Sequence, residues 1–127
     1  MSKQIIQSNK VPAPIGPYSQ AVIANGFLFA SGQIAFDPAT GELVLSSIEA
    51  ETTQVMENIK AILDEAKINF SHIVKTSIFL SSMDLFAAVN QVYGSYFNAD
   101  FPARETVAVK GLPRNVNVEI SITAIIK

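Results

Sequence analysis

Apolar and polar positions alternate every second residue in several stretches of the chain, and every third or fourth residue in two others. The first rhythm belongs to strands, whose side chains alternate between faces, and the second to helices with one buried side. Met1 to Lys10 reads as a short starting strand. Val11-Pro12-Ala13-Pro14-Ile15-Gly16-Pro17 follows as a proline-punctuated segment that must run extended or turn. Gln20 to Ala24 and Phe27 to Ser31 flank Asn25-Gly26, the dipeptide suited to a type I′ hairpin turn, which needs positive φ at both central residues. The second of these strands closes at Gly32-Gln33-Ile34, and Asp37-Pro38-Ala39-Thr40-Gly41 marks another turn.

A helix is expected after Ser46 or Ser47. Ser46 and Glu49 have capping-box spacing, and Glu49 and Glu51 suit the positive end of a helix. Ile48, Val55, Met56, Ile59, Ile62, Leu63 and Ala66 mark its apolar face, with Glu57, Lys60 and Asp64 on the wet side. Ile73 to Leu80 is a strand rich in β-branched residues. Ser81, Ser82 and Asp84 then offer caps for a second helix reaching about Phe97. Strands return at Arg104 to Lys110 and, after Gly111-Leu112-Pro113, at Val116 to Ile126. The order β-β-β-α-β-α-β-β predicts one α+β domain over residues 1–127, with two helices packed on one face of a mixed sheet.

Composition narrows the functions open to such a domain. At 127 residues the chain suits a single core, and its 49% apolar content is high for a small monomer. Surplus apolar surface predicts a homo-oligomer. A net charge of −2 without a basic run offers no stripe for a phosphate backbone, so nucleic acid is an unlikely partner. No apolar run is long enough to span a bilayer and no segment reads as a signal peptide; the expectation is a cytoplasmic protein with no membrane partner. The absence of cysteine excludes thiolate chemistry, disulfides and Cys-ligated metals, and a single histidine excludes a multi-His metal site. His72, after Ser71 and before an apolar strand, reads as a surface residue at an element boundary.

Candidate chemistry gathers near the C-terminus. In the last strand Val116, Val118, Ile120, Ile122 and Ile126 share an apolar face, leaving Asn117, Glu119, Ser121 and Thr123 on the other. Assigning Val107 and Val109 to the apolar face puts Arg104, Thr106 and Ala108 with Glu119. An antiparallel hairpin of these two strands would then bring Arg104, Thr106, Glu119 and Ser121 onto one surface. An arginine fork grips a carboxylate through two charge-assisted hydrogen bonds; alternatively Arg104 simply pairs with Glu119 or another acid. Asn90 lies inside the apolar stripe of Phe86, Tyr93 and Phe97, and a buried amide must find partners. It bonds nearby backbone or faces a polar pocket. Tyr18 offers an apolar ring with a phenol donor, and Gly32 permits close approach to its strand.

Five motifs occur in order: Ile15-Gly16-Pro17-Tyr18-Ser19-Gln20-Ala21, Ser31-Gly32-Gln33-Ile34, Val89-Asn90-Gln91-Val92-Tyr93, Phe101-Pro102-Ala103-Arg104, and Leu112-Pro113-Arg114 followed by Val118-Glu119-Ile120. Together they resemble the reactive-intermediate deaminase family, RidA or YjgF, over nearly the whole chain. The resemblance implies a chorismate-mutase-like α+β fold, assembled as a homotrimer with clefts between subunits. It implies cofactor-free hydrolysis of 2-imino acids to 2-oxo acids and ammonia. By the same resemblance Arg104 binds the substrate carboxylate and Glu119 orients or activates the attacking water. Tyr18 and Asn90 close the pocket, the backbone around Ser31 and Gly32 meets the nitrogen end, and Thr106 stands where many relatives carry cysteine. Ser121 and Asn115 replace acids frequent in the family. The alternative is a non-catalytic module that binds a small 2-oxo acid or a regulatory partner in the same clefts; ribonuclease activity is disfavoured by charge and by the lack of a His pair.

Overall fold

The computed structural model describes residues 2–126; Met1, with which the expected first strand begins, lies outside them. Six strands form one mixed sheet: β1 (Gln4–Ile6), β2 (Ala21–Ala24), β3 (Phe27–Gln33), β4 (Ile73–Leu80), β5 (Ala103–Ala108) and β6 (Val118–Ile125). Two helices, α1 (Ile48–Glu65) and α2 (Phe86–Gly94), pack on one face of it. Asn25 and Gly26 both have positive φ (53° and 82°), so the β2–β3 turn is the type I′ hairpin that the dipeptide predicts.

The helix start differs in detail from the expectation. Ser47, rather than Ser46, caps α1, its Oγ accepting from Ala50 N at 3.0 Å. The second helix also ends early. Ser82 caps a 3-10 turn at Met83–Leu85, and α2 stops at Gly94 rather than reaching Phe97.

The order across the sheet is β1-β2-β3-β6-β4-β5. This corrects the C-terminal hairpin. β5 runs parallel to β4, and β4 lies between β5 and β6, pairing antiparallel with β6. Parallel neighbours need a long crossover, and α2 supplies it.

The core lies between the helices and one sheet face. Leu28, Ile78, Leu80, Val118 and Ile120 meet Val55, Met56, Ile59, Ile62 and Leu63 there, all shut off from solvent. Each such side chain contributes roughly 1.5–3 kcal/mol on burial. Among the described residues no helix lies over the opposite face. Ile5, Phe27, Phe29 and Val107 are exposed on it, beside the Lys75–Glu105 ion pair at 3.0 Å. The Glu105 carboxyl is held below its ordinary value by its Ser77 hydrogen bond first and by Lys75 next.

Candidate functional site

Register decides which side chains meet. Arg104 pairs with Thr76 and Thr106 with Ile78, and both β4 partners are buried beneath the helices. Arg104 and Thr106 therefore stand on the helix face. Glu119 pairs with Phe79, on the opposite face with Ser121 and Thr123. The expectation that Arg104 and Glu119 share one surface fails within a single chain. Val107 misled it, being an exposed residue of the open face rather than part of the core.

On the helix face, α2 holds Arg104 from three sides. Asn90 Oδ1 accepts from Arg104 Nη1 at 2.7 Å. The guanidinium carbon lies 5.6 Å from the Phe86 ring centre and 5.3 Å from that of Tyr93. Residues 86, 90 and 93 recur at helical spacing, so one stripe of α2 supplies all three contacts. Stacking on an aromatic face contributes about 0.5–2 kcal/mol and leaves the guanidinium edge free. Among the described residues no carboxylate lies within salt-bridge reach of Arg104. The pairing with Glu119 or another acid does not occur.

Tyr93 is anchored in turn by Thr76, the two hydroxyl oxygens lying 2.9 Å apart in the core. Burial raises the Tyr93 phenol, opposed by the Thr76 hydrogen bond and by the nearby charge of Arg104. Thr106 Oγ1 is shielded from solvent and has no hydrogen-bond partner among the described residues.

The other cluster surrounds Glu119. It lines a cavity of about 280 Å³ together with Tyr18, Gly32, Ile34, Phe36 and Arg114. Burial raises the Glu119 carboxyl above its ordinary value. Gly32 is the reason the side chain fits: a Cβ there would lie 2.7 Å from Glu119 Oε2. Ser31 is engaged elsewhere. Its N–H donates to Gln20 O at 2.9 Å and its Oγ to Ser19 O at 2.7 Å, tying the segment after Tyr18 to β3. Tyr18 itself is largely exposed.

Several contributors were given no site role in the sequence, although Gln20 and Arg114 stand in its motifs. Gln20 is buried, accepting from Ser8 N at 2.7 Å and donating to Pro12 O at 3.2 Å, which anchors the proline segment along the cavity. Asn58, a buried amide of α1, donates to Ile34 O and Phe36 O at 3.1 and 2.9 Å. Its position amid Val55, Ile59 and Ile62 is the same signal that marked Asn90. Arg114 adopts a left-handed backbone (φ 59°) and lies 5.4 Å from the Phe36 ring centre. His72 sits at an element boundary, its Nδ1 accepting from Asn69 N at 3.2 Å. Among the described residues no three His, Asp or Glu side chains cluster as a metal site would require, and no helix is long and apolar enough to cross a membrane.

A one-sided mixed sheet with helices on the other side, joined through a parallel β4-α2-β5 crossover, defines a small α+β protein of the Rid fold. The chain belongs to the Endoribonuclease L-PSP family, whose sequence model matches residues 8–126, and with it to the RidA/YjgF proteins. It is 48% identical to a RutC family protein of Synechocystis, over 99% of this chain and 98% of that one. It is 41% identical to the chloroplastic Reactive Intermediate Deaminase A of Arabidopsis thaliana, over 98% of this chain and 66% of the relative. Among solved structures, RidA from an Antarctic Psychrobacter superposes with a TM-score of 0.92 at 40% identity, covering 97% and 99% of the two chains. E. coli TdcF with bound serine superposes at 0.91 and 35% identity, covering 96% and 98%.

Proposed function

We propose that this protein hydrolyses small 2-imino acids, of the 2-iminobutanoate and 2-iminopropanoate type, to 2-oxo acids and ammonia. The observation that carries the reading is the Arg104 guanidinium, held by Asn90 and stacked on Phe86 and Tyr93 with no acid opposite it among the described residues. A fixed, unpaired fork is a receptor for a carboxylate. Membership in a family that includes a named reactive intermediate deaminase supports the imine as the group beside that carboxylate.

In this reading Arg104 fixes the substrate and Glu119 serves the water. A protonated imine carbon is already electrophilic, so positioning accounts for much of the acceleration. The water oxygen bonds to the imine carbon while the Glu119 carboxylate takes a water proton. Glu119 returns that proton to the amino nitrogen of the resulting amino alcohol; the C–N bond then breaks, ammonia leaves with the bonding pair, and the hydroxyl gives its proton to the Glu119 carboxylate as the carbonyl forms. The raised carboxyl of Glu119 suits a group that must both accept and give a proton. No cofactor enters this sequence.

Arg104, Asn90 and Thr106 occupy the helix face, and Tyr18, Gly32 and Glu119 the opposite side. One active site uniting them draws its halves from two copies, in a homotrimer whose clefts lie between subunits. The exposed Phe27, Phe29 and Ile5 of the uncovered sheet face supply apolar surface for such packing. A second reading is a non-catalytic module that binds a small amino or oxo acid in these clefts, which the serine held by the related TdcF favours.

The test generates 2-iminobutanoate in situ and follows its loss with wild type, Arg104→Ala and Glu119→Gln. Wild-type acceleration with severe loss in both variants is expected. No acceleration by wild type rejects the reading, and calorimetric binding of 2-oxobutanoate by the inert protein would favour the binding module.

A further inference from the structure

The fully buried carboxylate of Glu51 is unaccounted for by the site as described. In the first turn of α1 an acid is ordinarily a solvent-exposed partner of the helix end. Here the side chain turns inward and is shut off from solvent. Its Oε2 accepts from Asn117 N at 2.8 Å and Val118 N at 3.2 Å, and its Oε1 from Asn117 Nδ2 at 2.8 Å. A buried carboxylate is costly unless its oxygens are hydrogen-bonded, and three N–H donors meet that need.

The place it grips matters more than the number of bonds. The β3 ladder along β6 ends at Gln33–Ile120 after an irregularity following Ala30. At the start of β6, just beyond that end, Glu51 accepts the N–H groups of Asn117 and Val118. Asn117 is held on its other side by Ser81, whose N–H donates to Asn117 O at 2.9 Å and whose Oγ donates to Asn117 Oδ1 at 3.1 Å. The next residue after Val118 is Glu119. Its backbone is thus clamped between a segment held by α1 and Ile120, which pairs with strands on both sides. Its side chain leaves through the gap at Gly32.

We infer that Glu51 is a positioning residue for Glu119: it fixes the backbone from which the water-activating carboxylate is aimed. The inference rests on the role proposed for Glu119. Glu51 touches neither the cavity lined by Glu119 nor the Arg104 cluster, so its effect passes through Asn117 and Val118 alone. Tyr18 and Arg114 are the other titratable side chains lining that cavity.

Glu51→Gln tests this with little change in volume. One of its two polar ends then presents N–H toward N–H donors, releasing part of the clamp. With 2-iminobutanoate, kcat should fall roughly tenfold while KM stays within about twofold, the pattern of a misaimed group rather than lost binding. Ile62→Val, in the core face of the same helix, serves as a control that lowers the thermal midpoint without changing kcat. A second readout needs no turnover: the carbon-13 carboxyl resonance of Glu119 followed against pH. Its midpoint should move by about half a pH unit in Glu51→Gln and not in Ile62→Val. A folded Glu51→Gln protein with unchanged Glu119 titration overturns the inference. If the titration moves but wild type hydrolyses no imine, the positioning stands and the function proposed for Glu119 falls.

Discussion

The space where Gly32 lacks a side chain is the space that Glu119 uses. A methyl group there would sit 2.7 Å from Oε2 and 2.8 Å from Cδ of the carboxylate, well inside contact distance. The glycine thus serves a neighbouring side chain: the close approach to its strand that it permits is made by Glu119. Gly32→Ala should push Glu119 out of place. Imine hydrolysis is expected to drop at least about tenfold, or ~1.4 kcal/mol in the barrier, with 2-oxobutanoate affinity changed far less. Steady-state kinetics beside calorimetry on the one variant checks both halves.

Burial raises the Glu119 carboxyl, so the folded chain binds that proton more tightly than the unfolded chain does. The stabilisation this brings is complete below the unfolded-state value and is lost as pH rises through the folded-state value. Glu119→Gln is neutral throughout. It should melt higher than wild type at about pH 8 and close to it at about pH 4, while losing activity at both. Thermal melts at the two pH values decide it; a variant that melts lower at the higher pH contradicts the assigned cause.

Asn90 gives its carbonyl oxygen to Arg104 and so fixes one edge of the guanidinium. Asn90→Leu keeps the branched shape, though not the size, and removes the acceptor. The guanidinium remains stacked but loses its rotational anchor, and affinity for 2-oxobutanoate should weaken by about 1 kcal/mol, roughly fivefold. Arg104→Lys should fare worse than Asn90→Leu, because an ammonium offers no planar fork and no stacking face. Titration calorimetry on the pair orders them.

Thr106 Oγ1 is out of reach of solvent and has no partner among the described residues. Leaving a buried hydroxyl unsatisfied costs about 1–3 kcal/mol. Thr106→Val should therefore raise the thermal midpoint of the free protein. A rise in KM for the imine in the same variant would assign the hydroxyl to substrate; an unchanged KM would remove it from the site.

The local periods carried much of the architecture. β-Branched content marked Ile73 to Leu80 with the bounds that β4 has, and the three-to-four rhythm of Val55, Met56, Ile59, Ile62 and Leu63 marked the buried face of α1. What a period does not carry is which strand lies beside which. Alternation in Arg104 to Lys110 is equally compatible with pairing to the following strand or, across a helix, to the preceding one. The helix between Leu80 and Ala103 was itself the clue to parallel pairing. Face assignment failed for a related reason: Val107 is apolar yet exposed, because the open face of this sheet carries apolar residues too. Glu51 was legible as a first-turn acid, but its inward turn depends on Asn117 and Val118, more than sixty residues away in sequence. Arg104 itself was visible through its motif. Its partner proved to be an amide, Asn90, rather than an acid.

β5 is a terminal strand of the sheet, so beyond it lies a row of backbone N–H and C=O groups that no further strand among the described residues takes up. Such a border is a template on which a foreign strand can add, and proteins defend it with charge and proline. Pro102 directly precedes β5, and Arg104 and Glu105 stand near its start. The charge proposed to receive the carboxylate is therefore also one of the guards of that border. Removing it takes away a deterrent to misassembly along with the proposed binding group, and soluble yield as well as affinity should register the loss of Arg104.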